Sequence, residues 1–281
     1  MVDLHSHTIK SDGSLTPAEL IDLACLKGLS ALAITDHDTL EGYDEAQSFA
    51  AAAGLDLICG VELGTKFHAR SIHILGYFFQ GQPGEEFRGH LRCLQTARRE
   101  RNDRLAARLR ELGLEVEREE VEKLGHSQTG RPHFALLLVN KGYAADIREA
   151  FDRYLDESAP GYVERSDPSL TNVLGWIHKA GGLASWAHPG RMIQHSGLPA
   201  ASLFQEMAYH GLDAVEAFHS DHTGEEQEVY SFQAAKLGLA VTGGSDFHGD
   251  AKPHIELGRV GISLGGLEVL RRLGPTARRS P

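Results

Sequence analysis

The chain has 281 residues, of which 41% are hydrophobic, and its 28 Lys and Arg against 39 Asp and Glu leave a formal net charge of −11. This length predicts one large α/β domain or one domain with an insert, and the acidic balance argues against long duplex nucleic acid as a partner. The sequence has no apolar run of bilayer length, no signal region and no cysteine pairing pattern, so we expect a cytoplasmic protein without a membrane partner.

Strand and helix patterns alternate over the first eighty residues, as they do in α/β proteins. The strands are predicted at residues 2–6, 31–35, 55–61 and 71–79. The first helix has Thr16 as its N-cap, Pro17 at its first position and Glu19 completing a capping box, and it ends at Gly28. A second helix is predicted at residues 43–53.

The alternation stops between residues 82 and 160, where the patterns are helical at 85–112, 117–123, 132–141 and from 146 onward. We interpret residues 82–160 as a helical insert, a substrate lid, in a barrel domain formed by residues 1–81 and 161–281. A helix with Asp167 as its N-cap leads back to the barrel. Strands at 183–187, 214–218, 239–242 and, more weakly, 259–263 follow, and then a short helix and a polar tail.

Polar side chains recur at the ends of the predicted strands, where α/β sheets and barrels place their chemistry. They are His5, His7, Asp36, His37, Glu62, His188, Asp246 and His248. A closed barrel would gather groups from nearly every strand in one mouth, so a distorted barrel of about seven strands is the first interpretation and a doubly wound sheet the second. His5 and His7 share one strand face, as in the beginning of a metal site. Asp36 or Asp38 could instead cap the next helix.

In chain order these residues form a set of motifs that closely resembles the PHP superfamily, named for polymerase and histidinol phosphatase. The motifs are His5-x-His7, Asp12, Thr35-Asp36-His37-Asp38, Gly60-Val61-Glu62, His73, Ala187-His188-Pro189 and Ser245-Asp246-Phe247-His248. The resemblance implies a distorted (β/α)7 barrel with an inserted small helical subdomain. It also implies two or three divalent metal ions and hydrolysis of phosphoesters by a metal-bridged hydroxide.

The resemblance assigns the ligands to three sites. The first takes His5, His7, Glu62 and Asp246; the second shares Glu62 and adds His73 and His188; the third uses Asp12, His37 and His248. Such a mixture of nitrogen and oxygen donors suits transition metals better than magnesium or calcium. Manganese is the first expectation, with iron or zinc as alternatives.

Within the superfamily, a helical insert between the fourth and fifth strands is similar to that of nucleotide phosphatases, acting on AMP or nucleoside 3′,5′-bisphosphates, and of enzymes that trim RNA from its 5′ end. Phosphate-contacting segments of that group resemble Gly130-Arg131-Pro132-His133 and His188-Pro189-Gly190-Arg191. Arg131, His133 and Arg191 are therefore candidates for substrate binding. Leu63-Gly64 departs from the pattern of the group. For catalysis we expect Asp246, together with His222 or His219 as the proton donor.

The long helix of the insert carries one further feature. Its apolar stripe turns cationic at Arg98 and Arg101 on the face that should pack against the rest of the protein. Buried cations need an anion, which would be either a carboxylate of the protein or a phosphate of the substrate.

Two other functions remain open from the sequence. One is a histidinol-phosphate phosphatase, and the other is a metal-holding regulatory module without catalysis. The insert favours a nucleotide substrate over the first, and the complete ligand set argues against the second.

Overall fold

The computed structural model describes residues 1–125 and 129–273, so the predicted tail beyond residue 273 lies outside the described residues. Within them, seven strands form one sheet in chain order: β1 (Val2–Asp3), β2 (Ala31–Ile34), β3 (Asp56–Phe67), β4 (Arg70–Phe78), β5 (Leu183–Trp186), β6 (Ala214–His219) and β7 (Ala240–Gly244). The Leu4 N–H donates to the Gly243 carbonyl over 3.1 Å, which brings the last strand against the first. The sheet is nearly closed, and the predicted distorted barrel is confirmed.

The sheet is mixed, because β4 runs antiparallel to both β3 and β5 while the other neighbours are parallel. Strand β3 continues to Phe67, so it is longer than predicted and Glu62 lies in its middle, opposite Leu75. The prediction that Glu62 stands at a strand end is wrong for this reason. The reversal of β4 places His73, opposite Gly64, beside that same part of β3.

The helices in chain order are α1 (Pro17–Leu26), α2 (Glu41–Ala53), α3 (Glu85–Glu111), α4 (Arg118–Gly125), α5 (Arg131–Asn140), α6 (Ile147–Ala150), α7 (Leu170–Lys179), α8 (Gly190–Ser196), α9 (Ala200–Tyr209), α10 (Gly224–Leu237) and α11 (Leu264–Arg272). The capping box of Thr16 and Glu19 at α1 is confirmed. None of these helices in the described part of the chain is long and apolar enough to cross a membrane.

Three local predictions need correction. The hydroxyl of Ser169, not the carboxylate of Asp167, caps α7 by accepting from the Asn172 N–H over 3.2 Å. The predicted strand at 259–263 is reduced to a bridge between Ile262 and Val2. Helices α8, α9 and α10 lie in segments where the sequence predicted no helix.

Helix α3 connects two hydrophobic cores. Phe87 and Leu91, near its beginning, pack into the barrel core, whereas Leu105 and Leu109, near its end, pack with α4, α5 and α6. Burial of each such leucine stabilises the fold by about 1.5–3 kcal/mol. The middle of α3 therefore lies where the helical layer meets the barrel, and Arg98 and Arg101 are in that middle.

Candidate metal centre

The first strand and the loop after it bring His5 and His7 into the barrel mouth, both fully buried. His5 Nδ1 lies 2.8 Å from Glu216 Oε1, and we assign the proton of this pair to Nδ1, which leaves the Nε2 lone pair free. The Nε2 atoms of His5 and His7 are buried without a hydrogen-bond partner in the described structure. Buried polar atoms rarely lack a hydrogen-bond partner, because this costs free energy of folding. A ligand that accepts both Nε2 lone pairs would remove that cost.

Glu62 is the common neighbour of five imidazoles. Its Oε2 lies 3.4 Å from His5 Nε2, 3.2 Å from His7 Nε2 and 3.3 Å from His37 Nδ1, and its Oε1 lies 2.7 Å from His73 Nδ1 and 3.1 Å from His188 Nε2. A carboxylate with imidazoles at both oxygens can bridge two cations. The hairpin of β3 and β4 makes this possible, since it places Glu62 and His73 side by side.

Two more carboxylates complete the arrangement. Asp246 Oδ1 lies 3.4 Å from both His5 Nε2 and His7 Nε2. Asp12 has His248 Nε2 at 3.3 Å from Oδ1 and His37 Nε2 at 3.6 Å from Oδ2. The structure thus brings all nine expected ligand residues together, and subsets of them have donor atoms close enough to share one ion.

Three residues of the site have left-handed backbone angles, which cost non-glycine residues about 1–3 kcal/mol each. They are Asp38 (φ 54°), His188 (φ 31°) and Asp246 (φ 58°). Buried carboxylates hold two of these segments in place. Glu216 Oε2 accepts from the His188 N–H over 2.7 Å, and Asp3 accepts from the N–H and the hydroxyl of Ser245, next to Asp246.

The electrostatics of the mouth favour ionised carboxylates beside imidazoles. Burial raises the pKa of Glu62, but the imidazoles around it together outweigh burial and hold that pKa well below its usual range. Burial lowers the pKa of His37 to about 3, so its ring is neutral and its lone pair is available. Burial also opposes charge on His7, yet Asp246 and Glu62 raise its pKa to about 9. These carboxylates attract a proton onto His7 that a metal cation would replace.

The donor set fits divalent transition metals. It combines imidazole nitrogens with carboxylate oxygens, and the unpartnered Nε2 atoms of His5 and His7 point at Glu62 and Asp246. Calcium and magnesium sites use oxygen ligands almost throughout, whereas imidazole suits zinc, iron and similar ions.

The two candidate proton donors occupy different surroundings. His222 Nδ1 pairs with the Ala217 carbonyl at 2.9 Å, and its Nε2 accepts from the Gly190 N–H over 3.2 Å, so both ring nitrogens are engaged by backbone. The structure therefore does not bring His222 to the centre. His219 Nε2 lies 3.4 Å from Asp246 Oδ2 and has no hydrogen-bond partner in the described structure. Its Nδ1 accepts from the Asp221 N–H over 3.0 Å, so the neutral ring carries its proton on Nε2.

A cavity of about 190 Å³ extends from the metal centre to the helical layer. Asp12, His37 and His73 line it on the side of the centre, and four arginines line it on the other side: Arg98, Arg101, Arg131 and Arg165. The cavity thus joins residues of the proposed metal centre to a cluster of arginines. Such a space suits a phosphorylated molecule that reaches the centre with one phosphate.

The substrate-binding candidates have different partners. Arg98 pairs with Asp38, its Nη2 lying 2.5 Å from Oδ2, while Arg101 is buried and makes no ion pair or hydrogen bond with any described residue. Arg131 lies over the Tyr162 ring at 5.7 Å. His133 Nδ1 accepts from the Gly130 N–H over 3.1 Å, which makes this ring part of the turn before α5.

The last candidate, Arg191, lies at the metal centre itself, with Nη2 at 2.9 Å from Asp246 Oδ2. Lys252 Nζ approaches the same oxygen to 2.7 Å. Neither Lys252 nor Glu216 nor Arg165 was found from the sequence. Lys252 stands four residues after His248, the one signal that could have pointed to it, whereas Arg165 and Glu216 belong to no pattern of their own.

Asp36 and Asp38 do not cap the following helix, since α2 begins after Leu40 without a side-chain cap. Asp36 instead accepts from the Thr8 N–H and hydroxyl and from the Ser11 hydroxyl, over 2.6 to 2.8 Å. It thereby holds the loop between His7 and Asp12 in shape. The capping alternative is wrong because the tertiary fold turns both carboxylates inward.

The chain is similar to proteins of known activity. The sequence model of the PHP domain matches residues 3–168. The 3′,5′-nucleoside bisphosphate phosphatase of Chromobacterium violaceum is 34% identical over 250 residues, which are 88% of this chain and 87% of that protein. The 5′-3′ exoribonuclease of Escherichia coli is 35% identical over 265 residues, 92% of this chain and 88% of that protein. A solved structure assigned as a metal-dependent phosphoesterase from Bifidobacterium adolescentis has a TM-score of 0.86 at 31% identity, covering 96% of this chain and 94% of that one.

Proposed function

This chain belongs to the PHP domain family, and from that membership we propose that it is a metal-dependent phosphoesterase acting on nucleotides or on short 5′-phosphorylated RNA. The observation that carries the proposal is the pair of unpartnered imidazole nitrogens facing Glu62 and Asp246, beside an arginine-lined cavity. The relatives with nucleotide and RNA substrates support this choice over histidinol phosphate.

We propose that the metal ions are held by nine side chains: His5, His7, Asp12, His37, Glu62, His73, His188, Asp246 and His248. Manganese is the first candidate, and iron and zinc are the alternatives. When bound, such ions activate water and neutralise charge on the phosphoryl group. The three cysteines are free thiols, which supports a location in the reducing cytoplasm.

The chain's own residues supply the remaining functions. His219 presents an Nε2–H to the mouth and is our candidate to protonate the leaving oxygen, in place of His222; a water molecule would then return a proton to Nε2. Arg191 and Lys252 lie beside Asp246, where the guanidinium and ammonium groups can contact phosphoryl oxygens. Glu216 keeps the His5 ring in one tautomer and one orientation.

Substrate choice belongs, in this proposal, to the cavity between the barrel and residues 82–160, which we take as a lid. Arg98, Arg101 and Arg131 come from the lid, and Arg165 lies just after it. A cluster of this kind holds one or two phosphates, whereas the overall charge of −11 repels a long polyanion.

A panel of substrates tests the proposal. Protein loaded with manganese is assayed on adenosine 3′,5′-bisphosphate, AMP, short 5′-phosphorylated RNA, histidinol phosphate and long duplex DNA. We expect phosphate release from nucleotides or RNA ends and its loss on chelation. Full activity in metal-free buffer, or cleavage of the duplex alone, would refute the proposal.

A further inference from the structure

Asp38 is a buried carboxylate that has no part in the proposed ligand set. It follows His37 directly and has a left-handed backbone with φ of 54°. Its N–H donates to the Glu62 carbonyl over 3.1 Å, and its carbonyl accepts from the Gln95 side chain of α3 over 3.0 Å. The residue is thus fixed both to the barrel and to the helical layer.

One oxygen of Asp38 joins two arginines from distant parts of the chain. Its Oδ2 accepts from Arg98 Nε over 3.1 Å, from Arg98 Nη2 over 2.5 Å and from Arg165 Nη1 over 2.8 Å. Arg98 belongs to α3, and Arg165 to the segment before α7. The two guanidinium groups would repel each other without the carboxylate between them.

Gly64 is part of the same arrangement. A Cβ atom at this position would lie 2.4 Å from Arg165 Nη2, so a side chain there would displace the guanidinium. Gly64 follows Glu62 by two residues in β3. The absence of a side chain at this position leaves room for Arg165 to reach Asp38.

Each arginine keeps donors for another anion. Arg98 Nη1 and Arg165 Nη2 make no hydrogen bond with any described residue, and both side chains line the cavity that His37 and His73 line from the other side. Asp38 holds both arginines, and Arg165 Nε also donates to Asp167. Little rotamer freedom is therefore left to lose when an anion binds.

We propose that Asp38 is a positioning residue: it holds Arg98 and Arg165 in place for the substrate phosphate that is not at the metal centre. This inference rests on the proposed function, because it assumes a substrate with a second anionic group. It places the control of substrate affinity in a carboxylate that touches neither the substrate nor the metals.

The test measures binding to metal-free protein, so that it does not depend on turnover. Titration calorimetry with adenosine 3′,5′-bisphosphate compares wild type with Asp38→Asn and Gly64→Ala, the second of which displaces Arg165 while leaving Asp38 intact. We expect each variant to weaken binding at least about tenfold, the scale of one charged hydrogen bond. Both variants should still take up metal as wild type does, because neither Asp38 nor Gly64 is a proposed metal ligand.

Asp44→Asn is the matched control. Asp44 also joins the barrel to α3, through Arg88 at 2.7 and 2.9 Å, but lines no part of the cavity. The Asp44→Asn variant should bind the bisphosphate with the affinity of the wild type. In the double variant Arg98→Gln/Arg165→Gln, adding Asp38→Asn should not weaken binding of the bisphosphate any further.

Unchanged binding in Asp38→Asn, equal weakening in Asp44→Asn, or loss of bound metal in Asp38→Asn would each overturn the positioning role. Wild-type protein that does not bind the bisphosphate would overturn it as well. Failure of metal-loaded wild type to hydrolyse any of the nucleotides or short RNAs would instead refute the proposed function, independently of the calorimetry.

Discussion

The metal centre and the arginine-lined cavity are adjacent but built on opposite principles. In the centre, barrel residues place imidazoles within 3.6 Å of three carboxylates, and the Nε2 atoms of His5 and His7 are left without a hydrogen-bond partner among the described residues. In the cavity, the helical layer and the return segment supply cations that are partly neutralised, Arg98 and Arg165 by Asp38.

This difference separates two tasks. A centre of imidazoles and carboxylates can hold metal ions, which would supply positive charge for the reaction on any phosphoester. A cationic cavity holds the rest of the substrate and decides which phosphoester reaches the centre. Variants of the proposed metal ligands should therefore affect all substrates alike, and variants of the cavity should affect nucleotides selectively.

The largest effect is expected in the centre. Asp246→Asn keeps the size of the side chain but removes a proposed ligand, so kcat/KM should fall at least about a hundredfold on both adenosine 3′,5′-bisphosphate and p-nitrophenyl phosphate. The bound metal, measured by mass spectrometry, should fall with it. Asp250→Asn, an exposed position nearby, is the control and should change neither quantity. A loss of kcat/KM on the bisphosphate alone would indicate that Asp246 acts in substrate selection and not in metal binding.

His219→Asn sharpens the comparison through the leaving group. The Nε2–H of His219 would protonate an alkoxide, so kcat on a nucleotide should fall about a hundredfold. The loss on p-nitrophenyl phosphate should be far smaller, because nitrophenolate leaves without a proton. His222→Asn should lower the melting temperature without any dependence on the leaving group, since both of its ring nitrogens bind backbone. Equal losses on the two esters would exclude His219 as the proton donor.

Arg101→Met tests the cavity. Burial and the neighbouring Arg98 and Arg131 lower the pKa of Arg101 to about 9, although Asp167 acts in the opposite direction. No described carboxylate forms an ion pair with Arg101. Removing the charge should therefore raise the free energy of unfolding by about 1 kcal/mol. At the same time kcat/KM on the bisphosphate should fall about tenfold, with little change on p-nitrophenyl phosphate. Arg99→Met, on the exposed side of α3, should change neither value; destabilisation by Arg101→Met would indicate a structural role.

The last prediction concerns the pH dependence of stability. Burial would raise the pKa of Asp38, but Arg98 and Arg165 hold it well below its usual range. A depressed pKa stabilises the fold above the unfolded value of about 4, and this stabilisation is lost as the pH falls. Urea unfolding of metal-free Asp38→Asn should show a deficit of about 3 kcal/mol at pH 7 that narrows below pH about 4. Asp44→Asn, at a half-exposed pair, should cost less than about 1 kcal/mol; a deficit independent of pH would contradict the assigned charge of Asp38.

The strand positions, the α1 cap and the order of the histidines and acids could be predicted because each rests on local spacing. A hydrophobic period of two or 3.6 residues can be recognised within about a dozen residues, and so can a capping box. The same signals failed where the chain reverses direction. Nothing local distinguishes an antiparallel β4 from a parallel strand, and so the central position of Glu62 was missed.

The sequence by itself determined which chemistry this protein has available, since nine candidate ligands recur in order beside its strands. Only the tertiary structure decided which of the other charged and polar side chains pair with one another. Asp38 lies 60 residues from Arg98 and 127 from Arg165, and His219 differs from His222 only in what surrounds each ring. Such pairings depend on burial and on the approach of distant segments, which Coulomb energy and packing select only after the chain has folded.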